Sequence, residues 1–533
     1  MRAATARTRH HLGILPIHGW LAISVDSASA MSQRGALLGV LLALLSPVLQ
    51  SFTAPGVASA PSRRRAVARG AAEVDDGGDG AFDRRTALIG GALLAGSAVA
   101  SAENPQRPSE YGLWGVLPVG PYKSKRTAPA EAVVPGRIWT FDQKFGILNV
   151  QVPSRMVVVK LSEKSGGGLF VYNPIAATRE LVSMVRDLEK QHGPVRHVVL
   201  GTVAIEHKTY CGVFASKFPK ATVWVQPGQY AVPVNLPNPL LGFPLGRTKT
   251  LPASAEETPW VADLDMKTLG PFISRDGAFG ETAFLHRASK TLLVTDTVVQ
   301  VSEEIPPIFL LDDEAKKPLL YHARDTILQP VDKNNVDELR RGWRRVQLFG
   351  LYFMPAAIAV HSVNQAVEER RPDVNPDFAG IYPWDWVGDD RRAFAALKGS
   401  RKDGLLVAPI LQTLILNRNP VETLDWADAV AKWDFKRVIP AHLKNDVSAD
   451  GAAFRRAFAF LEEAGEAPGQ PKPRDDDLAT LRGAEVNLLA MGAISPVPGK
   501  LAKNGANRAA LVAKTRNGCR GGLCGPLAPA KKA

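Results

Sequence analysis

The feature that most constrains the fold is a steady exchange of short strand-like runs with helix-like stretches, from about residue 135 to residue 465. Residues 155–161 (RMVVVKL) and 168–172 (GLFVY) read as adjacent strands bridged by the turn-prone Ser165-Gly166-Gly167. Asn173-Pro174 then opens a helix in which Leu181, Met184, Val185 and Leu188 fall on one face at the i, i+3, i+4, i+7 spacing. Residues 195–200 (VRHVVL) read as a strand entering a polar loop, 210–218 as a helix and 221–225 as another strand. The second half repeats the texture without repeating the sequence. Residues 282–286 and 291–296 form a hairpin turning at Ala288-Ser289, and helices are expected over 334–348, 391–398, 421–433 and 452–464. A short strand at 437–440 delivers His442. Strands and helices in both halves predict an α/β fold of packed layers.

The two ends read differently from this middle. From Met31, which reads as the initiator, Arg34 and the apolar run 36–45 form a secretory-type signal, too short to span a bilayer. Phe52 and Ala54-Pro55 follow, then the Arg-rich, acid-free residues 61–70, a composition that resembles the bipartite presequences of secondary plastids. Arg84-Arg85, a weakly apolar stretch and Ala100-Ser101-Ala102 resemble a twin-arginine thylakoid signal. Residues 1–102 are therefore expected to be a disordered targeting region. The location they imply is the plastid: the thylakoid lumen, or the thylakoid membrane if the segment stays uncleaved. Residues 103–135 are rich in Pro and Gly and are expected to be extended. Residues 466–533 hold few large apolar residues and are expected to be a basic, mostly disordered tail. Cys519 and Cys524 within it could form a disulfide loop, a redox pair or two idle thiols.

Net charge excludes one class of partner. Of the +13 total, residues 1–102 carry +4, residues 471–533 carry +7 and the intervening core only +2. A neutral core without a basic stripe argues against nucleic-acid binding. The apolar segment 346–360, interrupted by Pro355, reads as a kinked core helix or, alternatively, a peripheral membrane contact. Trp384 and Trp386, flanking Asp385, are either an exposed aromatic patch or core.

Chemistry is expected where acids and imidazoles stand at strand ends. Glu206-His207 follows the strand 195–200, Asp296 ends the strand at 291–296, and His442 follows the strand 437–440. Carboxylates and imidazoles converging on one rim can hold a divalent metal or act as general acid and base. The structural alternatives are a surface pair at Glu206-His207, a turn cap at Asp296 and a His442 that satisfies a backbone carbonyl. His286, His322, Arg324 and Asp325 are further cleft candidates, with a structural hydrogen-bond network as the alternative.

At these residues the chain resembles the metallo-β-lactamase superfamily. The run 197–208 resembles its first histidine motif, Val294-Thr295-Asp296-Thr297 its bridging-aspartate segment and Val438-Ile439-Pro440-Ala441-His442 its last-histidine segment. Aligned on Glu206-His207, Thr202 and Ala204 stand where two histidines belong, and no histidine occurs near Gly280-Glu281-Thr282. A narrower resemblance covers residues 105–465. Segments such as 171–175 (VYNPI), 218–229 (FPKATVWVQPGQ), 321–325 (YHARD) and 405–411 (LLVAPIL) are similar to the family known as domain of unknown function 4336. The resemblance implies an αββα sandwich over residues 103–465. It also implies a metal centre reduced to Glu206, His207, Asp296 and His442, suited to one zinc, iron or manganese ion or to none. Two functions follow: a mononuclear metal-dependent hydrolase acting on an unidentified small molecule, or a non-catalytic protein that reuses the fold to bind a thylakoid protein. Thioester hydrolysis on the same fold is a third reading, by analogy.

Overall fold

The computed structural model describes residues 111–114, 117–121, 125–147, 149–229, 237–274, 277–374, 380–490 and 492–518. The leader expected to carry targeting signals, including Arg84 and Arg85, and the Cys519/Cys524 pair lie outside the described residues.

Two sheets form the centre. The first has seven strands in chain order: Glu131–Val134, Ile138–Ile147, Val150–Lys160, Leu169–Tyr172, Val195–Leu200, Thr222–Val225 and Thr248–Thr250. Its first four strands pair antiparallel and its last four parallel. The second sheet has five, Leu264–Ser274, Gly277–His286, Thr291–Leu293, Arg437–Ile439 and Val447–Ser448. Its third pairing, Thr291–Leu293 with Arg437–Ile439, is parallel, and the other three are antiparallel.

The strand period of two assigns each side chain to a layer. On Val150–Lys160, Val157 and Val159 face the second sheet and join Phe170, Tyr172, Trp260, Phe284, Leu293 and Ile439 in the core between the sheets. Met156 and Val158 face the other way, onto helices Arg179–His192 and Ile205–Lys217, through Leu181, Val185, Cys211 and Phe214. The outer face of the second sheet packs Leu285, Leu292 and Val438 against Leu424, Val430 and Phe454 of helices Pro420–Ala431 and Gly451–Arg456. The order is thus helix, sheet, sheet, helix. With both faces covered, the strands need to be apolar at nearly every position, and residues 156–159 are. A fourth core gathers helices Asp313–Ala323, Val336–Tyr352 and Asp390–Lys398 around Trp343, Phe349, Trp384 and Trp386.

Several expectations need correction. The helix after the second strand starts at Arg179, capped by the Thr178 hydroxyl, and not at Asn173-Pro174. Asn173 instead takes a left-handed conformation, φ 50°. Helix Val336–Tyr352 stops at Phe353, φ 63°, before Pro355 can kink it, and Ile358–Val360 is a strand. Trp384 and Trp386 are buried, so they are core. The helix expected over 452–464 is shorter, Gly451–Arg456 followed by a 3-10 turn at Ala459–Leu461. The expected disordered tail is folded over 466–490 and 492–518. Helices Ala479–Ala490 and Arg508–Gly518 form there, Leu481 and Asp477 are buried, and the Asp477 carboxylate accepts from the Ala356 amide. A few apolar anchors suffice because the docking surface is already folded. No helix among the described residues is long and apolar enough to cross a membrane.

Candidate metal centre

Register brings two of the four residues together. Leu293 pairs with Ile439 in the parallel ladder, and Asp296 and His442 each stand three residues beyond it. Both loops therefore leave the same edge of the second sheet. The first sheet supplies the rest. After strand Val195–Leu200 the chain crosses to the second sheet, where the Thr282 amide donates to Gly201 O and the Val203 amide to Gly280 O. It then enters helix Ile205–Lys217, whose first turn carries Glu206 and His207. The polar loop expected at these two residues is thus a helical turn.

One donor atom from each of Glu206, His207, Asp296 and His442 lies within 4.8 Å of the other three. His207 Nε2 and His442 Nε2 are 3.2 Å apart, His442 Nε2 and Asp296 Oδ1 3.2 Å, and His207 Nε2 and Asp296 Oδ1 3.9 Å. A tetrahedral ion with bonds of about 2.0–2.1 Å has ligand–ligand edges of about 3.3–3.4 Å. Two of the three separations fall near that edge. Two imidazole nitrogens facing each other at this distance need a proton or a cation between them, because two lone pairs repel. His442 Nδ1 is 2.9 Å from Pro153 O and must donate there, which leaves Nε2 as the atom that faces the cluster. His207 is fully buried, and its Nδ1 has no hydrogen-bond partner among the described residues.

The electrostatics favour a cation. Burial disfavours ionisation of Asp296, but hydrogen bonds and charge from His207 and His442 prevail and hold it well below the usual carboxylate range. Burial opposes protonation of His442, yet Asp296 and Glu206 raise its affinity for a proton above the ordinary value. A site that attracts a proton this way also attracts a divalent ion. The donor set of imidazole and carboxylate fits zinc, iron or manganese.

Two buried charged residues hold the loops. Arg155, 1% exposed, donates from Nη1 to Pro440 O (2.6 Å) and from Nη2 to Leu443 O (3.1 Å) and Asp142 Oδ2 (2.7 Å). Its amide also donates to Ala441 O. It thereby clamps carbonyls on both sides of His442, next to Leu443 in the left-handed region at φ 57°. Glu281, fully buried, holds the Asp296 loop by accepting from the Thr295, Asp296 and Thr297 amides. The sequence alone singles out neither residue for the site. The available signal is a charge set in an otherwise apolar strand, which marks a paired, buried group. Thr202 and Ala204 are engaged by the protein itself: the Thr202 hydroxyl accepts from the Ala204 amide, and Thr202 O accepts from Gln229 Nε2.

The further cleft candidates contribute no atom to the cluster. His286 bonds the Ser289 hydroxyl and stands five residues along the strand from Glu281, about 17 Å away. His322 is buried among the rings of Tyr321, Phe349 and Trp384. Arg324 donates to Gln329 O, and Asp325 pairs with Arg345, which also reaches Asp390. His322, Arg324 and Asp325 are parts of a structural network in the core around Trp343 and Trp384.

The family described as Domain of unknown function (DUF4336) matches residues 135–460. The chain belongs to that family. No curated protein matches it. Solved structures similar to it include a metallo-β-lactamase from Pseudomonas aeruginosa in its mono-zinc form, 11% identical over 37% of this chain and 80% of that one, TM-score 0.25. A metallo-β-lactamase from Pontibacter korlensis is 11% identical over 37% of this chain and 83% of its own, TM-score 0.25. A variant flavo di-iron protein from Thermotoga maritima is 8% identical over 74% of this chain and 77% of its own, TM-score 0.31.

Proposed function

We propose that this protein is a hydrolase built on a single divalent metal held by Glu206, His207, Asp296 and His442. The observation that carries the reading is the convergence of four donor atoms, two of them facing imidazole nitrogens, within 4.8 Å. A bound zinc, iron or manganese ion would supply Lewis acidity toward water and toward a carbonyl or phosphoryl oxygen. The chain's own part is preparation. The Pro153 carbonyl fixes the His442 tautomer, and His207 and His442 keep Asp296 ionised. Arg155 holds the His442 segment in place. The substrate in this reading is a small molecule, and the leader sequence supports a thylakoid location.

A second reading is a non-catalytic thylakoid protein that uses the fold for binding. It is favoured by one observation: Thr202, Ala204 and Glu281 are tied up in protein hydrogen bonds beside the cluster. A panel of ester, thioester, lactam and phosphodiester substrates separates the two. Hydrolysis that is abolished by a chelator, restored by metal and lost in Asp296→Asn supports the first. A metal-loaded protein inert on the whole panel, but retained by thylakoid membranes through a protein partner, supports the second.

A further inference from the structure

Glu281 lies on strand Gly277–His286, where the two sheets touch, and is wholly buried. Its Oε1 accepts from the Thr295 amide (2.9 Å) and the Thr297 hydroxyl (2.7 Å). Its Oε2 accepts from the Asp296 amide (2.7 Å) and the Thr297 amide (2.9 Å). All four partners are donors, and a carboxylate has about four lone-pair sites, so the group is saturated. Three consecutive amides thus fold around one carboxylate, and the middle one belongs to Asp296. From the other side, the Thr295 hydroxyl meets the Tyr172 hydroxyl and the Asn173 amide nitrogen, each at 2.8 Å. Asn173 Oδ1 in turn accepts from the Gly201 amide, at the crossing that leads to His207.

We propose that Glu281 is a positioning residue: its saturated carboxylate fixes the turn at residues 295–297, so that Asp296 Oδ1 meets the imidazoles of His207 and His442. The functional consequence rests on the metal-centre reading; the locking of the turn does not. Buried groups one shell out from a metal commonly change affinity by about 10- to 100-fold when altered.

The test uses the full chain with two readouts. Cobalt(II) affinity is measured by competition with a chromophoric chelator, together with the visible spectrum of the bound ion. Amide hydrogen exchange over residues 295–297 is measured on metal-free protein. Glu281→Gln puts an amide N–H against backbone donors, and Thr297→Val removes only the hydroxyl donor. The expected result is cobalt affinity at least about tenfold weaker in Glu281→Gln, with an altered spectrum. Thr297→Val weakens it less, and exchange at 295–297 quickens in both. Parent-like affinity and spectrum, or unchanged exchange, overturns the proposal. If the parent chain takes up no cobalt, the metal reading fails, and the exchange readout alone decides Glu281: faster exchange supports it and unchanged exchange sinks it. Should Glu281→Gln fail to fold, Thr297→Val carries both readouts.

Discussion

Replacing Arg155 by methionine removes the clamp behind His442 while keeping much of its volume. The side chain is 1% exposed and its partner Asp142 11%, so the change leaves a carboxylate without its counter-ion and two carbonyls, Pro440 O and Leu443 O, without their donor. Breaking a buried pair by removing one partner costs about 3–5 kcal/mol. An unsatisfied buried carbonyl costs about 1–3 kcal/mol, partly recovered as the loop relaxes. The expected loss is roughly 5 kcal/mol, against a typical total of about 5–15 kcal/mol for a domain. The companion double variant, Arg155→Met with Asp142→Leu, removes the stranded charge as well and should lose only about 2 kcal/mol, the share of the two carbonyls. Urea unfolding of metal-free protein measures both, and the Asp142→Leu single variant completes the cycle that gives the coupling energy of the pair. A single variant that loses under about 1 kcal/mol, or a double variant no better than the single, would refute the clamp.

Acid should destabilise the protein through its buried histidines. Burial, aided by Arg345, pushes His322 down to about 3, and burial with nearby cations pushes His197 to about 4; burial likewise takes His286 to about 4. The folded state keeps these rings neutral while the unfolded chain protonates them near pH 6.5. Their stability contribution is therefore full above that pH and is lost as pH falls toward 4, by about 1.4 kcal/mol per pH unit for each ring. His322→Leu should flatten the dependence of the melting temperature between pH 6.5 and 4.5, and an unchanged slope would count against the assignment. Ending the chain at residue 465 removes the Gln470–Leu405, Asp477–Ala356 and Glu485–Arg418 contacts and the Leu481 anchor. The melting midpoint should fall by more than ~5 °C. An unchanged midpoint would mean that the segment docks without stabilising the body.

Much of the layering is legible in the sequence because it depends on local pattern. The apolar run at 155–161, the face formed by Leu181, Val185 and Leu188, and the hairpin before Asp296 each follow from strand or helix periodicity. The four clustered residues were legible as strand-end acids and imidazoles, although their distance from one another depends on a register, Leu293 opposite Ile439, that no local signal specifies. Residues that support them were not legible. Arg155 and Glu281 act through backbone carbonyls and amides, which carry no side-chain signature. His286 and His322 show the converse: imidazoles that look chemical in sequence and lie buried outside the cluster, His286 against the Ser289 hydroxyl and His322 among aromatic rings. The folded residues 466–490 and 492–518 escaped composition because their few anchors rest on a surface made by distant parts of the chain.

The most direct test of the central claim is metal content. Protein purified without a histidine tag is analysed for bound metal per chain, beside an Asp296→Ala/His442→Ala variant. The account predicts one divalent ion per chain, retained through gel filtration and absent from the variant. No metal in the parent, even after incubation with zinc, iron or manganese, would contradict it.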